Sequence, residues 1–440
     1  MLIEGATFCI RLIMENLSYK EYIMESLIGK KLLILGGSAL MVDPVLRAKE
    51  LGLYTIVTDW HEIEKSPAKQ VADEYWTISL MDYDQLVTKI NEERIDGILT
   101  GFTDAFLLAY QHLCELTGLP CYATKNSLEI TKDKALFKCF CREHDISVIP
   151  EYDLDSFNPS LITNKNKVII KPVDNSGSQG VILCKSSEDF QRCLDFALSY
   201  SNKKEVIIEK YMDMDSFAAS YTIQNGEISL STLNDRLEHK SSETAAITTA
   251  GIYPSKYLDL YLEKMDEKMK KMYKAMGVTN GVLSVQGFVD GENFYVMEMG
   301  YRLTGGQHYI FSKHENGISA LDQLIYFSIT GKMADFSIAE KDNPRFKNLC
   351  LNLCILGKEA KVARIEGQDY VENLPEVIHS NFLKQVGDQI GMDGTTSQKI
   401  ANLHLVLKDY ADMNRVVKDI QDNFHVYDEE GNDLVLELMK

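Results

Sequence analysis

Residues 31–59, "KLLILGGSALMVDPVLRAKELGLYTIVTD", contain the pattern of a strand, a turn, a helix and a second strand. The apolar run at 31–35 is typical of a buried strand, and "GGS" at 36–38 is typical of the turn after it. The helical spacing that follows stops at Gly52. After another helical segment, a third strand is predicted at 95–101. Strands that alternate with helices at this pace predict a doubly wound parallel sheet.

Sheets of this kind bind ligands at the carboxyl ends of their strands. The residues at those ends are Gly36, Gly37, Asp59 and Gly101. A nicotinamide-binding domain is the obvious alternative, but "GGSALMVDP" at 36–44 contains no G-x-G-x-x-G. A dehydrogenase built on this lobe is therefore the weakest of the alternatives.

Composition narrows the class of protein. The chain has 440 residues, of which 45% are hydrophobic and 25% charged, as expected for a globular enzyme with more than one domain. The 46 basic and 65 acidic residues leave a net charge of −19, which argues against a nucleic-acid partner. No apolar run reaches the roughly 18 residues that span a bilayer, so no membrane association is expected.

The cysteines indicate a reducing compartment, and the histidines argue against a zinc site. The nine cysteines contain no C-x-x-C pair and suggest buried free thiols in the cytoplasm. The nine histidines form no zinc-binding array. Residues 1–29 lack the regions of a signal peptide, which also favours a cytoplasmic location. They are expected to be a helical N-terminal extension, or sequence upstream of a start at Met24.

The segment "IIKPVDNSGSQGV" at 169–181 has the composition of a phosphate-binding loop. Lys171 ends an apolar strand, and a loop rich in hydrogen-bond donors follows it. Gly177 allows backbone N–H groups to approach a phosphate closely, and Ser176 and Ser178 add hydroxyl donors. Taken alone, however, such a segment is more often a hairpin turn.

The segment "VIIEKYM" at 206–212 is an apolar strand that ends in polar residues. Its alternating backbone donors and acceptors suit the edge of an adenine ring. The residues concerned are Glu209, Lys210, Tyr211 and Met212. The structural alternative is an amphipathic edge strand with a solvated Glu–Lys pair.

Residues 283–308, "LSVQGFVDGENFYVMEMGYRLTGGQH", predict a hairpin that turns at 290–293. Gln286 and Glu298 lie at matching distances from the turn, so they are expected to face each other. Glu298 falls within an apolar strand, where an unpaired carboxylate is costly and a metal ion or cationic partner is expected. Arg302 follows and could clamp a carboxylate or phosphate through two hydrogen bonds.

These motifs, preceded by Lys134 in "TKDK", resemble in their order those of the ATP-grasp superfamily: DK, IIKP and a Gly/Ser loop, EKYM, then Q-x₁₁-E-x-G-x-R. The resemblance covers residues 31 to about 435. It implies an α/β and α+β multidomain fold with a doubly wound parallel-sheet lobe, a central two-part ATP-grasp region and a small C-terminal α+β lobe. The implied limits are 1–29 for the extension, 30–123, 124–335 with a lid at about 165–208, and 336–440.

The resemblance also implies a nucleotide site. Lys134 and Lys171 match the lysines that hold the α- and β-phosphates of ATP, and the loop with Ser176, Gly177 and Ser178 matches the lid above them. Glu209, Lys210, Tyr211 and Met212 match the strand that grips adenine. An acid that typically holds the ribose is replaced here by Ser216, with Asp215 beside it as a substitute.

The matched metal and substrate residues are Glu298 for Mg²⁺ and Arg302 for the acyl phosphate or substrate carboxylate. The family usually has a carboxylate where Gln286 stands and Asn where Gly300 stands. Gln286 can still bind Mg²⁺ through its amide oxygen, with less charge. These departures put a two-metal site in doubt, but not ATP binding.

The expected activity is that of an ATP-dependent carboxylate–amine ligase with ATP and Mg²⁺ as cofactors and small-molecule carboxylate and amine substrates. The alternatives are a bicarbonate-activating carboxylase or carbamoyl-phosphate-type enzyme, and an ATP-binding protein without catalysis. A homodimer is compatible with the resemblance, although no residue pattern requires one. Further candidates for substrate contacts, each with a structural explanation as well, are 36–38, Thr103, Asp104, Asp235, Arg236 and His308.

Overall fold

The computed structural model describes residues 26–173, 179–239, 246–391 and 394–439. Ser176, Gly177 and Ser178 of the predicted phosphate loop lie outside the described residues, as does most of the predicted N-terminal extension. Within the described ranges, no helix is long and apolar enough to cross a membrane.

The N-terminal lobe is a parallel sheet, as the sequence predicts. Its strands are β1 (Lys31–Leu35), β2 (Tyr54–Asp59), β3 (Glu74–Thr77) and β4 (Gly97–Thr100), in the order β3–β2–β1–β4. The helices of this lobe are α1 (Val42–Glu50), α2 (Pro67–Val71), α3 (Tyr83–Glu93) and α4 (Asp104–Thr117). The middle strands are buried because helices cover them, which explains their continuous apolar runs.

Two helices lead from this lobe into the central region, where the sequence predicts a single helix. They are α5 (Lys125–Lys132) and α6 (Lys134–Glu143). The break lies at Asp133, whose extended backbone and carboxylate cap the second helix. Its Oδ1 accepts hydrogen bonds of 2.9 Å from the backbone N–H groups of Ala135 and Leu136.

A small antiparallel sheet follows and contains the predicted lid. Its strands are β5 (Glu151–Tyr152), β6 (Val168–Pro172), β7 (Ile182–Cys184) and β8 (Val206–Lys210), in the order β5–β8–β6–β7. One helix packs against it, α7 (Phe190–Ser199). Cys193 and Ala197 on that helix join Ile170 and Ile208 in a separate small core.

The remaining strands form the large sheet and a separate two-stranded sheet, and the remaining helices accompany them. The strands are β9 (Asp215–Gln224), β10 (Glu227–His239), β11 (Ile247–Tyr253), β12 (Gly281–Asp290), β13 (Asn293–Gly300), β14 (Leu349–Leu356), β15 (Arg364–Glu366), β16 (Val377–Phe382), β17 (Lys399–Leu407) and β18 (His425–Tyr427). The helices are α8 (Leu258–Lys264), α9 (Asp266–Ala275), α10 (Tyr309–Asn316), α11 (Ala320–Thr330), α12 (Gln368–Glu372) and α13 (Tyr410–Asn423). Short 3₁₀ helices occur at Ala39–Met41, Ile63–Lys65, Pro159–Leu161 and Thr396–Gln398.

The large sheet runs without interruption into the C-terminal region. As described, it has eight strands in the order β13–β12–β9–β10–β11–β14–β17–β16, and β15 pairs separately with β18. The link is the pairing of β11 with β14, and Ala250 and Ile252 share a core with Leu351 and Leu403. The boundary predicted between residues 335 and 336 therefore divides one hydrogen-bonded sheet, and the domain limits stay predictions.

Candidate active site

The centre of the candidate site is a buried carboxylate held by two lysines. Glu209, near the end of β8, is 3% exposed. Its Oε1 lies 2.7 Å from Nζ of Lys171 on β6 and 2.5 Å from Nζ of Lys138 on α6. Lys138 also contacts Glu151 on β5. Helix α6 and the lid sheet are thus joined at one cluster of charges.

The charges around this cluster shift the pKa values of its members. Burial opposes ionisation of Glu209, but the charges of Lys171 and Lys138 outweigh it and hold the pKa of Glu209 below its ordinary value. Burial lowers the pKa of Lys134, and the charge of Lys171 lowers it further, while Glu298 and Glu209 raise it. Lys134, Lys171 and Glu298, three residues distant in sequence, therefore share one electrostatic environment.

Lys138 was not among the candidate residues predicted from the sequence. Lys138 lies four residues after Lys134, so the two can share one helix face. That spacing was the available signal. Lysines on helices are usually solvated, which is why the spacing alone did not distinguish Lys138.

The strand matched to adenine binding differs from the expectation in detail. The backbone N–H groups of Lys210 and Tyr211 donate to the carbonyl oxygens of Pro150 at 2.9 Å and Lys167 at 3.0 Å. These two donors are therefore engaged within the protein. The alternative of a solvated Glu–Lys pair is wrong, because the Glu209 side chain points into the charge cluster.

Near the start of β9, Asp215 is exposed and contacts Tyr257 OH at 2.5 Å and Lys256 Nζ at 2.6 Å. The adjacent Ser216 is buried, and its hydroxyl lies 3.0 Å from Glu238 Oε1. Glu238 was not among the site residues predicted from the sequence. Its position on β10, the strand beside β9, places an acid next to Ser216 after all.

Gln286 and Glu298 are direct partners on β12 and β13, as the turn spacing predicts. Glu298 lies within an apolar strand as expected, but the expected cost of an unpaired carboxylate there does not arise, because its side chain is exposed. The register shifts at this point, so that Met297 has no partner on β12, whereas Val296 pairs with Gly287. This bulge reverses the alternation along β13: Val296 is buried and Glu298 faces solvent.

Arg302, just beyond β13, makes the two-fold contact expected of it, but with a carboxylate of the protein. Its Nε donates to Asp104 Oδ1 at 2.8 Å and its Nη2 to Asp104 Oδ2 at 2.6 Å. Asp104 lies in the first turn of α4 in the N-terminal lobe. Both residues were candidates from the sequence, and the structure brings them together.

Other sequence candidates are engaged inside the fold. The Asp235 carboxylate accepts hydrogen bonds from Ser255 Oγ at 2.5 Å and from the Lys256 backbone N–H at 3.1 Å, and burial raises its pKa. Arg236 donates to Thr248 Oγ1 at 2.6 Å. His308 is buried, and burial lowers its pKa to about 4.

The glycine pair at the end of β1 forms a tight turn against the end of β2. A side-chain carbon at Gly37 would lie 1.7 Å from Ser66 Oγ and 2.3 Å from Asp59 Oδ2. Asp59 itself is held by Ser66 Oγ and by Lys69 Nζ, both at 2.8 Å. The Asp59 carboxylate therefore helps to fix the turn. Gly37 packs so closely against Ser66 and Asp59 at this edge of the sheet that a residue with a side chain would not fit.

Residues 164–309 match the family model described as an ATP-grasp domain. A formate-dependent phosphoribosylglycinamide formyltransferase of Wolinella succinogenes is 23% identical over 282 residues, 62% of this chain and 70% of that protein.

Solved structures show the same fold. An L-amino acid ligase from Bacillus licheniformis has a TM-score of 0.75 at 16% identity, over 91% of this chain and 99% of that one. The biotin carboxylase domain of Hydrogenobacter thermophilus 2-oxoglutarate carboxylase, solved with MgADP and bicarbonate, has a TM-score of 0.71 at 17% identity, over 92% and 91%. The solved structures support the fold, and the resemblance drawn from the motifs is confirmed for residues 164–309, which match an ATP-grasp domain.

Proposed function

We propose that this protein is an ATP-dependent ligase that activates a carboxylate as an acyl phosphate for attack by an amine. The observation that carries the proposal is the gathering of Lys134, Lys138 and Lys171 around Glu209, within electrostatic reach of the exposed Glu298. Three cations and a solvent-facing carboxylate suit a polyphosphate with a bound divalent ion.

The nucleotide is assigned to the region where helix α6 meets the lid sheet. Lys134 and Lys171 hold the α- and β-phosphates, and Lys138 with Glu209 fixes the position of the Lys171 ammonium. Adenine is assigned to the segment ending at Met212, whose backbone N–H has no backbone acceptor among the described residues. Ser176, Gly177 and Ser178 retain the lid role that the resemblance implies. Asp215 is proposed to hold the ribose, with Glu238 as the second candidate.

The residues present fit Mg²⁺ as the ion that accompanies ATP. Glu298 supplies a carboxylate oxygen and Gln286, its cross-strand partner, an amide oxygen. The described residues contain no cluster of three or more side chains able to hold a metal by themselves. Mg²⁺ suits such a sparse site because it retains waters and binds phosphate oxygens. When bound, it neutralises charge on the transferred phosphoryl group.

The reaction balances in two steps. A carboxylate oxygen of the substrate attacks the γ-phosphorus, the bond to the β–γ bridging oxygen breaks, and ADP leaves. The amine nitrogen then attacks the acyl carbon, phosphate leaves, and the nitrogen loses a proton. The residues of this chain act mainly by position and charge: Lys171 at the phosphates and Arg302 at the substrate carboxylate.

Small molecules are the proposed substrates, because the formyltransferase and the amino acid ligase are both named for small molecules. Bicarbonate as the activated carboxylate is the second candidate, since the carboxylase domain of the same fold was solved with MgADP and bicarbonate. A homodimer and a cytoplasmic location stay predictions.

Thermal denaturation and ADP release test the proposal. Mg·ATP should stabilise the wild type, and a panel of carboxylates with amines should stimulate ADP release. Lys171→Ala should lose the stabilisation by ATP, and Glu298→Ala should lose the stimulated ADP release.

Lys418→Ala is the matched control, because the Lys418 side chain is 74% exposed and its ion-pair partner among the described residues is Asp422 on the same helix, at 2.5 Å. It should behave as wild type. A wild type that Mg·ATP fails to stabilise contradicts the proposal. Stabilisation without ADP release from any panel member favours the alternative of an ATP-binding protein without catalysis.

A further inference from the structure

Two cysteines meet where helix α4 ends and the chain leaves the N-terminal lobe. Cys114 lies in the last turn of α4, and Cys121 follows the end of the helix by four residues. The Sγ of Cys114 lies 3.5 Å from the carbonyl oxygen of Pro120, the residue before Cys121. The two thiols are also in hydrogen-bond contact with each other. A bond between the two sulfurs therefore requires only a small movement of the chain.

The backbone on both sides of Cys121 is held by Tyr110, one helical turn before Cys114. The Tyr110 hydroxyl donates to the carbonyl oxygen of Pro120 at 3.4 Å and accepts from the N–H of Tyr122 at 3.2 Å. Residues four apart on a helix share a face, so Tyr110 and Cys114 face the same segment. The contact between the thiols thus rests on a backbone that is fixed at both neighbours of Cys121.

The two thiols differ in exposure and in acidity. Cys114 is 2% exposed, whereas Cys121 is partly exposed. The hydrogen bond between them lowers the pKa of Cys121, and burial opposes this shift. The same hydrogen bond raises the pKa of Cys114, and burial raises it further. Since the thiolate is the reactive form, Cys121 can attack a disulfide from solution and Cys114 can resolve the product.

A second pair of cysteines has the contact without the access. Cys184 on β7 and Cys193 on α7 make a thiol hydrogen bond within the small core of the lid, and both are 0% exposed. Burial and the neighbouring Cys193 raise the pKa of Cys184 to about 12. Contact between sulfurs alone therefore does not make a reactive pair. Partial exposure and a lowered pKa distinguish Cys121.

The segment that carries Cys121 also contacts the residue before Arg302. The Tyr301 hydroxyl donates to the carbonyl oxygen of Tyr122 at 2.9 Å, and the two rings lie 5.2 Å apart. Burial raises the pKa of Tyr301, and the nearby Tyr122 and Cys121 raise it further. Asp104, the first residue of α4, pairs with Arg302 itself. Helix α4 and the segment after it therefore both contact the stretch at 301–302.

We propose that Cys114 and Cys121 form a dithiol site that reacts with a low-molecular-weight disulfide, such as oxidised glutathione, and closes to an intramolecular disulfide. Closure shortens the separation of the two sulfurs to about 2.05 Å, which draws the segment at 119–122 toward α4. Because Tyr301 is hydrogen-bonded to that segment, the stretch at 301–302 shifts with it. Reversible disulfides of this kind are the ones expected in a reducing compartment.

The reaction is two successive thiol–disulfide exchanges. The Cys121 thiolate attacks one sulfur of oxidised glutathione, the S–S bond of that molecule breaks, and one glutathione thiolate leaves. The Cys114 sulfur, after its proton has passed to solvent, attacks Cys121 Sγ and displaces the second glutathione thiolate. The released thiolates take up the two protons. Two protein thiols are thus oxidised, and one small disulfide is reduced to two thiols.

Differential alkylation and peptide mapping test the site. The reduced, full-length protein is treated with oxidised glutathione, and the unreacted thiols are alkylated before digestion. Cleavage after Glu115 separates the two cysteines unless a disulfide joins them. The peptides carrying Cys114 and Cys121 should therefore stay joined, and dithiothreitol should separate them again.

The chain supplies its own comparisons in the same digest. Cys184 and Cys193 should stay reduced, because neither is exposed. Cys139 is exposed, and its thiol contacts Glu143 on the same helix. It should therefore retain one glutathione instead of closing to a disulfide.

Substitutions separate the two steps and test the effect on the fold. In Cys114→Ser, Cys121 should retain one glutathione, because the resolving thiol is gone. In Cys121→Ser, Cys114 should stay reduced. Hydrogen exchange of the backbone amides at 299–303 should change at least about three-fold on oxidation of the wild type and stay constant in Cys121→Ser. Cys139→Ser is the matched control and should show the same change as the wild type.

Three outcomes overturn the inference. The first is a wild type in which Cys121 stays reduced or retains a glutathione at a concentration that modifies Cys139. The second is a disulfide that joins Cys121 to a cysteine other than Cys114. The third is a Cys114–Cys121 disulfide that forms without a change of hydrogen exchange around Tyr301. None of these measurements requires ATP or a substrate, so their failure is distinguishable from failure of the proposed function.

Discussion

The Glu209 carboxylate is the residue on which the nucleotide site depends most directly. With Lys138 Nζ at 2.5 Å and Lys171 Nζ at 2.7 Å from one of its oxygens, a single buried anion holds two cations. The cluster therefore keeps positive charge for a ligand while it avoids an uncompensated charge in the protein interior. Of the two lysines that contact Glu209, Lys171 is nearer to solvent, at 8% exposed against 0% for Lys138.

We predict that Lys138→Met lowers the free energy of unfolding by about 3 kcal/mol, because it removes one partner of a buried ion pair. Urea unfolding measures this loss. The affinity for ATP should fall about ten-fold, since Glu209 would then draw Lys171 away from the phosphates. The double variant Lys138→Met/Glu209→Gln should recover part of the stability, because no buried charge is left unpaired. A double variant less stable than the single one would contradict this account.

The residues of the site differ in how far the sequence could predict them. Lys171 was identifiable because it ends an apolar strand before a donor-rich loop. Glu298 and Gln286 were identifiable because they lie at equal distances from a turn. Lys138 and Glu238 were not, because their roles depend on strands that only the folded chain brings beside them.

Among the elements, the start of helix α6 has a direct influence on the site. Asp133 caps this helix, and Lys134 is its first residue. Loss of the cap should lower the free energy of unfolding by about 1 kcal/mol. It should also allow the first turn to fray, so that Lys134 no longer holds a fixed position.

We therefore predict that Asp133→Ala weakens ATP binding as well as stability, as measured by calorimetric titration and urea unfolding. Asp82→Ala is the matched control, since Asp82 caps α3 in the N-terminal lobe by accepting from the Gln85 N–H at 3.2 Å. It should cost similar stability and leave the ATP affinity unchanged. Equal ATP affinities for the two variants would contradict a positioning role for the α6 cap.

The elements also show where periodicity stops being informative. The turn at 290–293 predicted the hairpin of β12 and β13, but the apolar residues around Glu298 did not show that its side chain is exposed. The bulge at Met297 reverses the faces, and nothing in the local residue types marks it. Similarly, helical periodicity across residues 124–150 continues through Asp133, so the break depended on recognising a capping residue.

At the scale of the whole molecule, the extent of the large sheet could not be predicted from sequence. The pairing of Gly251 with Asn352 joins residues about a hundred positions apart, and no local pattern specifies that partner. The parallel N-terminal lobe was predictable because its strands and helices alternate locally. Its contact with the rest of the chain, such as the Arg47–Asp322 pair at 2.6 Å, was not.

Two buried histidines lie at the loop after Arg302, and one of them comes from the large sheet. His404 on β17 donates Nε2–H to the carbonyl oxygen of Gly306 at 3.0 Å, and His308 lies in the same loop. The pKa of His404 is lowered to about 3, because burial and the neighbouring His379 lower it by more than the Gly306 contact and Asp43 raise it. Both histidines are therefore neutral in the folded protein.

We predict that stability falls as the pH drops below 6.5, the ordinary histidine value, and is independent of these groups above it. Between pH 6.5 and about 4, the pKa of folded His308, the unfolded chain binds up to two protons that the folded chain refuses. Each such proton costs about 1.4 kcal/mol per pH unit. The double variant His308→Gln/His404→Gln should flatten the slope of unfolding free energy against pH in this window, before carboxylates contribute. His61→Gln, at an exposed position, should retain it. An unchanged slope in the double variant would show that other groups govern the acid sensitivity.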